Sequence, residues 1–65
     1  MVEFKKLARS YRLDLDGKSA DVWHIGGQGW AWNVMDVVTG IYLACGRGLS
    51  SCDDACEQVL IAVGI

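Results

Sequence analysis

The sequence contains no proline, a single histidine and a single phenylalanine. Without proline, every turn has to be made by other residues, and glycine is the one on offer. With one imidazole, any Cys/His or Ser/His chemistry has only His24 to draw on. Long apolar runs are also missing: Val59–Val63 is the longest strongly apolar one, far short of the ~20 residues a membrane helix needs. The opening Met1-Val2-Glu3-Phe4-Lys5-Lys6 lacks the basic-then-apolar order of a secretory signal. Charge of either sign is scarce. Six basic residues (Lys5, Lys6, Arg9, Arg12, Lys18 and Arg47) stand against eight acidic ones, for a net charge of −2. Lys5, Lys6, Arg9 and Arg12 lie near one another, but no dense cationic track exists for a phosphate backbone, so nucleic acid is disfavoured as a partner. The acidic residues are too dispersed to mimic nucleic acid.

What is present fits a globular chain. Apolar residues make up 52% and charged residues 22%, well away from disordered compositions. Sixty-five residues make one domain, residues 1–65, near the lower limit for a self-sufficient core. Such a domain often borrows stability from a disulfide, a metal or a partner. Three cysteines without a signal peptide suggest a reducing compartment, hence a soluble cytoplasmic protein.

Glycine sets the punctuation at Asp16-Gly17, Gly26-Gly27-Gln28-Gly29, Thr39-Gly40 and Gly46-Arg47-Gly48. Between these turns lie short strand-like runs at about 8–15, 20–25, 30–36 and 41–45. A four-residue loop at 26–29 sets Ile25 opposite Trp30 and Trp23 opposite Trp32. A loop at 37–40 sets Val34 opposite Leu43 and Trp32 opposite Cys45. These registers place Trp23, Ile25, Trp30, Trp32, Val34, Ile41, Leu43 and Cys45 on one face. The other face then carries Val22, His24, Ala31, Asn33, Met35, Tyr42 and Ala44. A two-residue Asp16-Gly17 turn would send Tyr11, Leu13 and Leu15 to that second face. A three-residue connection with a bulge unifies the core and is the favoured reading. The N-terminal stretch fits helical spacing (Phe4, Leu7, Ala8, Tyr11) as well as strand alternation (Leu7, Tyr11, Leu13, Leu15), and is read as a strand with a frayed lead-in.

The last segment predicts a helix. Ser50 or Ser51 caps it, Asp53 and Asp54 suit its first turn, and Gly64 ends it. Its stripe is Cys52, Ala55, Cys56, Val59, Leu60 and Val63, small residues that complement bulky tryptophans. The expected fold is α+β: a small antiparallel sheet of three to four strands with one C-terminal helix packed on one face.

Chemistry-bearing sets are few. Cys45, Cys52, Cys56 and His24 are the only metal-like group, but a lone x3 pair departs from paired zinc-ligand clusters. Buried thiols acting as small hydrophobes explain them better. Gly46-Arg47-Gly48-Leu49-Ser50-Ser51 precedes a helix N-terminus, yet Asp53 and Asp54 would repel a phosphate there. Asp14 and Asp16 lack the calcium-loop order. Trp23, Trp30 and Trp32 read as core rather than as base-stacking groups. No catalytic residue, cofactor or metal ligand is assigned, and the chain is read as a non-enzyme. The residues left over suggest association: Ile61 and Ile65 form a second helical stripe, and Val37 and Val38 sit in a hairpin loop. His24, Asn33 and Tyr42 mix with apolar groups on the second face.

From Trp30 onward, about half the chain, Trp32-Asn33-Val34-Met35-Asp36, Thr39-Gly40, Leu43-Ala44-Cys45-Gly46 and Ser51 before Ala55 resemble small proteins of bacteria, phages and mobile elements. In these a β-meander ends in glycine, and a capped, alanine-containing helix closes the sheet. HicB-like antitoxin domains share that ending, although this chain has no room for their DNA-binding extension. The matching residues are structural. The resemblance implies a small module that binds a protein of the host, such as an anti-CRISPR-type inhibitor of a defence complex. The alternatives are a HicB-like antitoxin bound to its cognate toxin, or a structural zinc or redox module. A homodimer is expected from the apolar surplus.

Overall fold

The computed structural model of the chain describes residues 4–64. A five-stranded antiparallel meander runs in the order β1-β2-β3-β4-β5, and one helix closes it. The strands are β1 (Lys5–Lys6), β2 (Ser10–Leu15), β3 (Lys18–Ile25), β4 (Gly29–Asp36) and β5 (Tyr42–Leu49), followed by α1 (Cys52–Ala62). The fold is therefore α+β, with five strands where three to four were expected. The extra strand is β1, which folds back onto β2 with Lys5 opposite Arg12 and Lys6 opposite Tyr11.

The helix forms where the sequence puts it. Ser51 is the N-cap, and its Oγ accepts a hydrogen bond from the Asp54 amide at 3.1 Å. At the other end Gly64 takes φ +81° and its amide donates to the Ile61 carbonyl, which satisfies a last-turn acceptor. Ala55 and Val59 are fully buried against Leu13, Ala20, Val22, Trp32 and Val34, while Cys52, Cys56, Leu60 and Val63 pack around that cluster. No helix among the described residues is long and apolar enough to cross a membrane.

Two registers differ from the expected ones by one residue. The β3–β4 loop has three residues, closed by the Gln28 amide donating to the Ile25 carbonyl at 2.8 Å, and Gly29 enters β4 opposite Ile25. Gly29 takes φ +84°, and a Cβ there would stand 2.6 Å from the Leu49 carbonyl oxygen, so only glycine fits where β4 meets β5. Val22, not Trp23, consequently opposes Trp32. On β5, register shifts between Val34 and Met35 and between Trp30 and Trp32 bring Ala44 opposite Val34 and Gly46 opposite Trp32. The Trp32 indole occupies the space a side chain at 46 would need. Gly46-Arg47-Gly48, expected as a turn, thus belongs to β5.

The helix-covered face carries Ala20, Val22, Trp30, Trp32, Val34 and Ala44. Trp23, Ile25 and Cys45 lie on the opposite face, whereas Ile41 and Leu43 are exposed. The Asp16-Gly17 connection is the two-residue turn, with Leu15 opposite Lys18 and Gly17 at φ +77°. Tyr11, Leu13 and Leu15 still reach the core, because the core is the Val22 face.

Candidate docking surface

Among the described residues, one face of the sheet has no layer over it. Toward β2 this open face is polar: the Arg12 guanidinium pairs with Asp21 at 3.3 Å, and the Ser19 hydroxyl donates to Asp14 at 3.3 Å. Toward β5 it turns apolar. Trp23 and Ile25 on β3 and Cys45 and Arg47 on β5 wall a shallow trough of about 530 Å³, with Asn33 beside them. Ala31, at 2% exposure, and Gly46 supply small residues between those walls. A small residue on a central strand between large ones on its neighbours makes a depression, and the sequence dictates it here at Trp23–Ala31.

Further along β5, toward the β4–β5 loop, stands a second group of apolar residues. Val37, Val38, Ile41, Tyr42 and Leu43 are 51–83% exposed, five of the seven large apolar side chains exposed among the described residues. All five belong to the β4–β5 hairpin. Asp36 holds this hairpin rigidly: its Oδ1 accepts from the Val38 amide at 2.9 Å and the Thr39 amide at 3.3 Å, and its carbonyl accepts from the Gly40 amide at 2.7 Å. The Val37 amide donates to the Gly17 carbonyl at 3.1 Å, which ties the loop to the neighbouring turn. An Asx-turn with these bonds gives the Val37-Val38 backbone defined hydrogen-bond partners while both side chains stay exposed.

The residues expected to bind a partner are only partly gathered. Val37, Val38 and Tyr42 share the hairpin, and Asn33 lies beside it on the open face. His24 does not join them: it pairs with Trp30 on the helix side, the two ring centroids 5.1 Å apart. Ile61 is 63% exposed on α1, across the sheet from Asn33, and Ile65 lies outside the described residues. Sequence reasoning missed Ile41 and Leu43, which it had spent on the core, and Trp23, Ile25, Cys45 and Arg47. The signal that could have found them is Gly46, whose missing side chain marks the register opposite Trp32.

The thiols are divided between the two faces. Cys52 and Cys56 sit on α1 with their sulfurs 3.9 Å apart, whereas Cys45 is exposed on the open face. Burial and the neighbouring Cys52 sulfur push the Cys56 thiol up to about 12, so it stays protonated at neutral pH. Among the described residues no group of three His, Cys, Asp or Glu side chains is placed to hold a metal ion. Compared with known proteins, the chain matches no family model, no curated protein and no solved structure.

Proposed function

We propose that this chain is a small non-enzymatic protein-binding module that docks through the β4–β5 hairpin and the adjoining strip of open sheet face. The observation that carries the reading is that the exposed apolar side chains of Val37, Val38, Ile41, Tyr42 and Leu43 all stand on one hydrogen-bonded hairpin. Apolar patches of this kind on a small soluble domain mark sites that another protein covers. Arg47 and Asn33 beside the patch supply a polar rim, and Tyr42 supplies an aromatic anchor.

The narrower readings, an inhibitor of a host defence complex or an antitoxin covering its toxin, draw their support from the sequence resemblance. They differ in partner: a large host assembly for the first, a small toxin encoded beside this chain for the second. The experiment compares capture by the native chain with capture by a Val38→Asp/Ile41→Asp variant that retains its circular dichroism. The proposal expects one protein recovered stoichiometrically by the native chain and lost with the variant. Recovery of that protein by both chains equally, or of none by either, would remove the hairpin as the docking surface.

A further inference from the structure

Of the residues that wall the trough on the open face, one carries a charge. It is Arg47, which is also the single charged residue of β5. Among the described residues its guanidinium makes neither an ion pair nor a hydrogen bond, whereas Arg12 on the same face is already joined to Asp21. No carboxylate lines the trough. Asp21, the register neighbour of Asn33, is held by Arg12 on its other side. The apolar part is as definite in its place. Trp23 and Ile25 stand half-buried along one wall, and Ala31, opposite Trp23, leaves a low floor between them and Arg47. At about 530 Å³ the trough is of the size that takes a bulky side chain or a small ligand.

We propose that the trough takes an acidic, aromatic segment of the partner protein, with an aromatic ring over Ala31 against Trp23 and a neighbouring Asp or Glu carboxylate on Arg47. This rests on the docking reading above and adds the chemistry of the segment that docks. A protein laid on this strip takes water from Arg47, and a cation stripped of water is costly unless a carboxylate takes the water's place. The guanidinium fork donates two parallel hydrogen bonds to one carboxylate, which fixes the segment's orientation as well as its charge. The half-buried Asn33 carboxamide offers a further donor in the same trough. The Trp23 indole gives an aromatic ring a partner in offset or edge-to-face packing. A basic segment meets the reverse condition, a like charge at Arg47 and no carboxylate in the trough to answer it. A second copy laid trough to trough brings two uncompensated guanidinium groups into one contact, which the charge disfavours.

Titration of the isotope-labelled full chain with acetylated, amidated tripeptides, followed by NMR, reads both the ring and the charge. Signals of Trp23, Ala31, Asn33 and Arg47 should move with Glu-Phe-Glu. Its affinity should exceed that of Gln-Phe-Gln by about threefold to fivefold, the size of an exposed ion pair, and that of Lys-Phe-Lys by more. Glu-Gly-Glu, which has no ring, should leave those signals in place. Arg47→Glu should reverse the order and make Lys-Phe-Lys the tightest; position 47 is exposed, and the spectrum itself shows that the variant folds. Equal affinities for the three charge states, or no movement at Trp23 with millimolar Glu-Phe-Glu, overturn the inference. So do trough shifts that follow the concentration of the chain alone, which would seat a second copy there. Capture separates this inference from the docking reading. A protein lost from the Val38→Asp/Ile41→Asp chain but kept undiminished by Arg47→Glu leaves the hairpin as the docking surface and overturns the acidic segment. A capture that recovers nothing removes the docking reading, and the peptide order then stands or falls by itself.

Discussion

Replacing Gly46 by alanine adds one methyl group, and the structure says what that group meets. An ideal Cβ at 46 would stand 2.5 Å from Trp32 Nε1, 2.8 Å from Cε2 and 3.1 Å from Cζ2. Trp32 is 8% exposed and packs with Val22, Val34 and Val59, so the indole has little room to retreat. The Gly46 backbone is outside the left-handed region, and alanine suffers no conformational penalty there. Two effects therefore compete. Alanine restricts the unfolded chain, which stabilises by about 0.4–1 kcal/mol. Overpacking a closed core costs about 1–3 kcal/mol. The steric term wins, for a net loss of about 1–2 kcal/mol and a fall in Tm of roughly 5–15 °C.

For a chain of this length the total stability is roughly 3–10 kcal/mol, so the loss is easily measured by thermal or urea unfolding. Gly26→Ala is the control: nothing lies within 4 Å of its Cβ position and its φ is ordinary, so only the stabilising term remains. A double variant isolates the contact. Trp32→Phe removes the indole atoms nearest position 46, so it should cost less in the Gly46→Ala background than in the native one. A Gly46→Ala protein that melts at or above the native temperature would refute the Trp32–Gly46 packing and the β4–β5 register with it.

Trp32→Ala should cost about 3–5 kcal/mol and leave little folded protein; an unchanged denaturation midpoint would put Trp32 on a surface. The Cys56 thiol, raised from 9.0 to about 12 by burial and by Cys52, keeps its proton in the folded chain where the unfolded chain has lost it. Its contribution to stability is thus complete below pH 9 and declines as the pH rises from about 9 to 12. Melting curves over that range should fall less steeply for Cys56→Ser than for the native chain, and parallel curves would refute the assignment. Ile61→Lys should leave Tm unchanged or raise it, since Ile61 is exposed in the last helical turn, where no basic residue complements the dipole. Clear destabilisation would return Ile61 to the core.

The helix was legible from residue type alone. Ser51, Asp53, Asp54 and Gly64 bracket it, and the Ala55–Val59 spacing names its buried stripe. β4 was legible too, since Trp30, Trp32 and Val34 alternate with smaller or polar neighbours. β3 and β5 were not, for a physical reason. Val22 and Trp23 are both apolar, as are Leu43, Ala44 and Cys45, so alternation by itself admits either parity. Glycine then decides it, because Gly29 and Gly46 enter strands at positions where a turn was expected. Of the candidate site, Val37, Val38 and Tyr42 were found because apolar residues in a hairpin loop contradict local solvation. Ile41 and Leu43 were missed because the expected 37–40 loop set Leu43 opposite Val34 and so on the core face, where Ala44 stands instead.

That one-residue difference in register is where the reasoning from sequence failed, and it bears directly on the surface. Trp32 alone fills much of the space between sheet and helix, and the residues around it are correspondingly small: Ala20, Val22, Val34, Ala44 and Gly46 on the strands, Ala55 and Val59 on α1. Tyr11, Leu13, Leu15, Trp30, Leu49 and Leu60 complete the core around them. Trp23 and Ile25 lie half-buried on the open face, and Val37, Val38, Ile41, Tyr42 and Leu43 are exposed on the β4–β5 hairpin. This placement follows from the one-residue registers at Gly29 and Gly46. The five hairpin residues are exposed, and exposed positions tolerate polar replacements within about 0.5 kcal/mol, so the fold does not require them to be apolar. They stand on a hairpin braced by hydrogen bonds at Asp36 and Gly17, and that arrangement is what the proposed docking surface rests on.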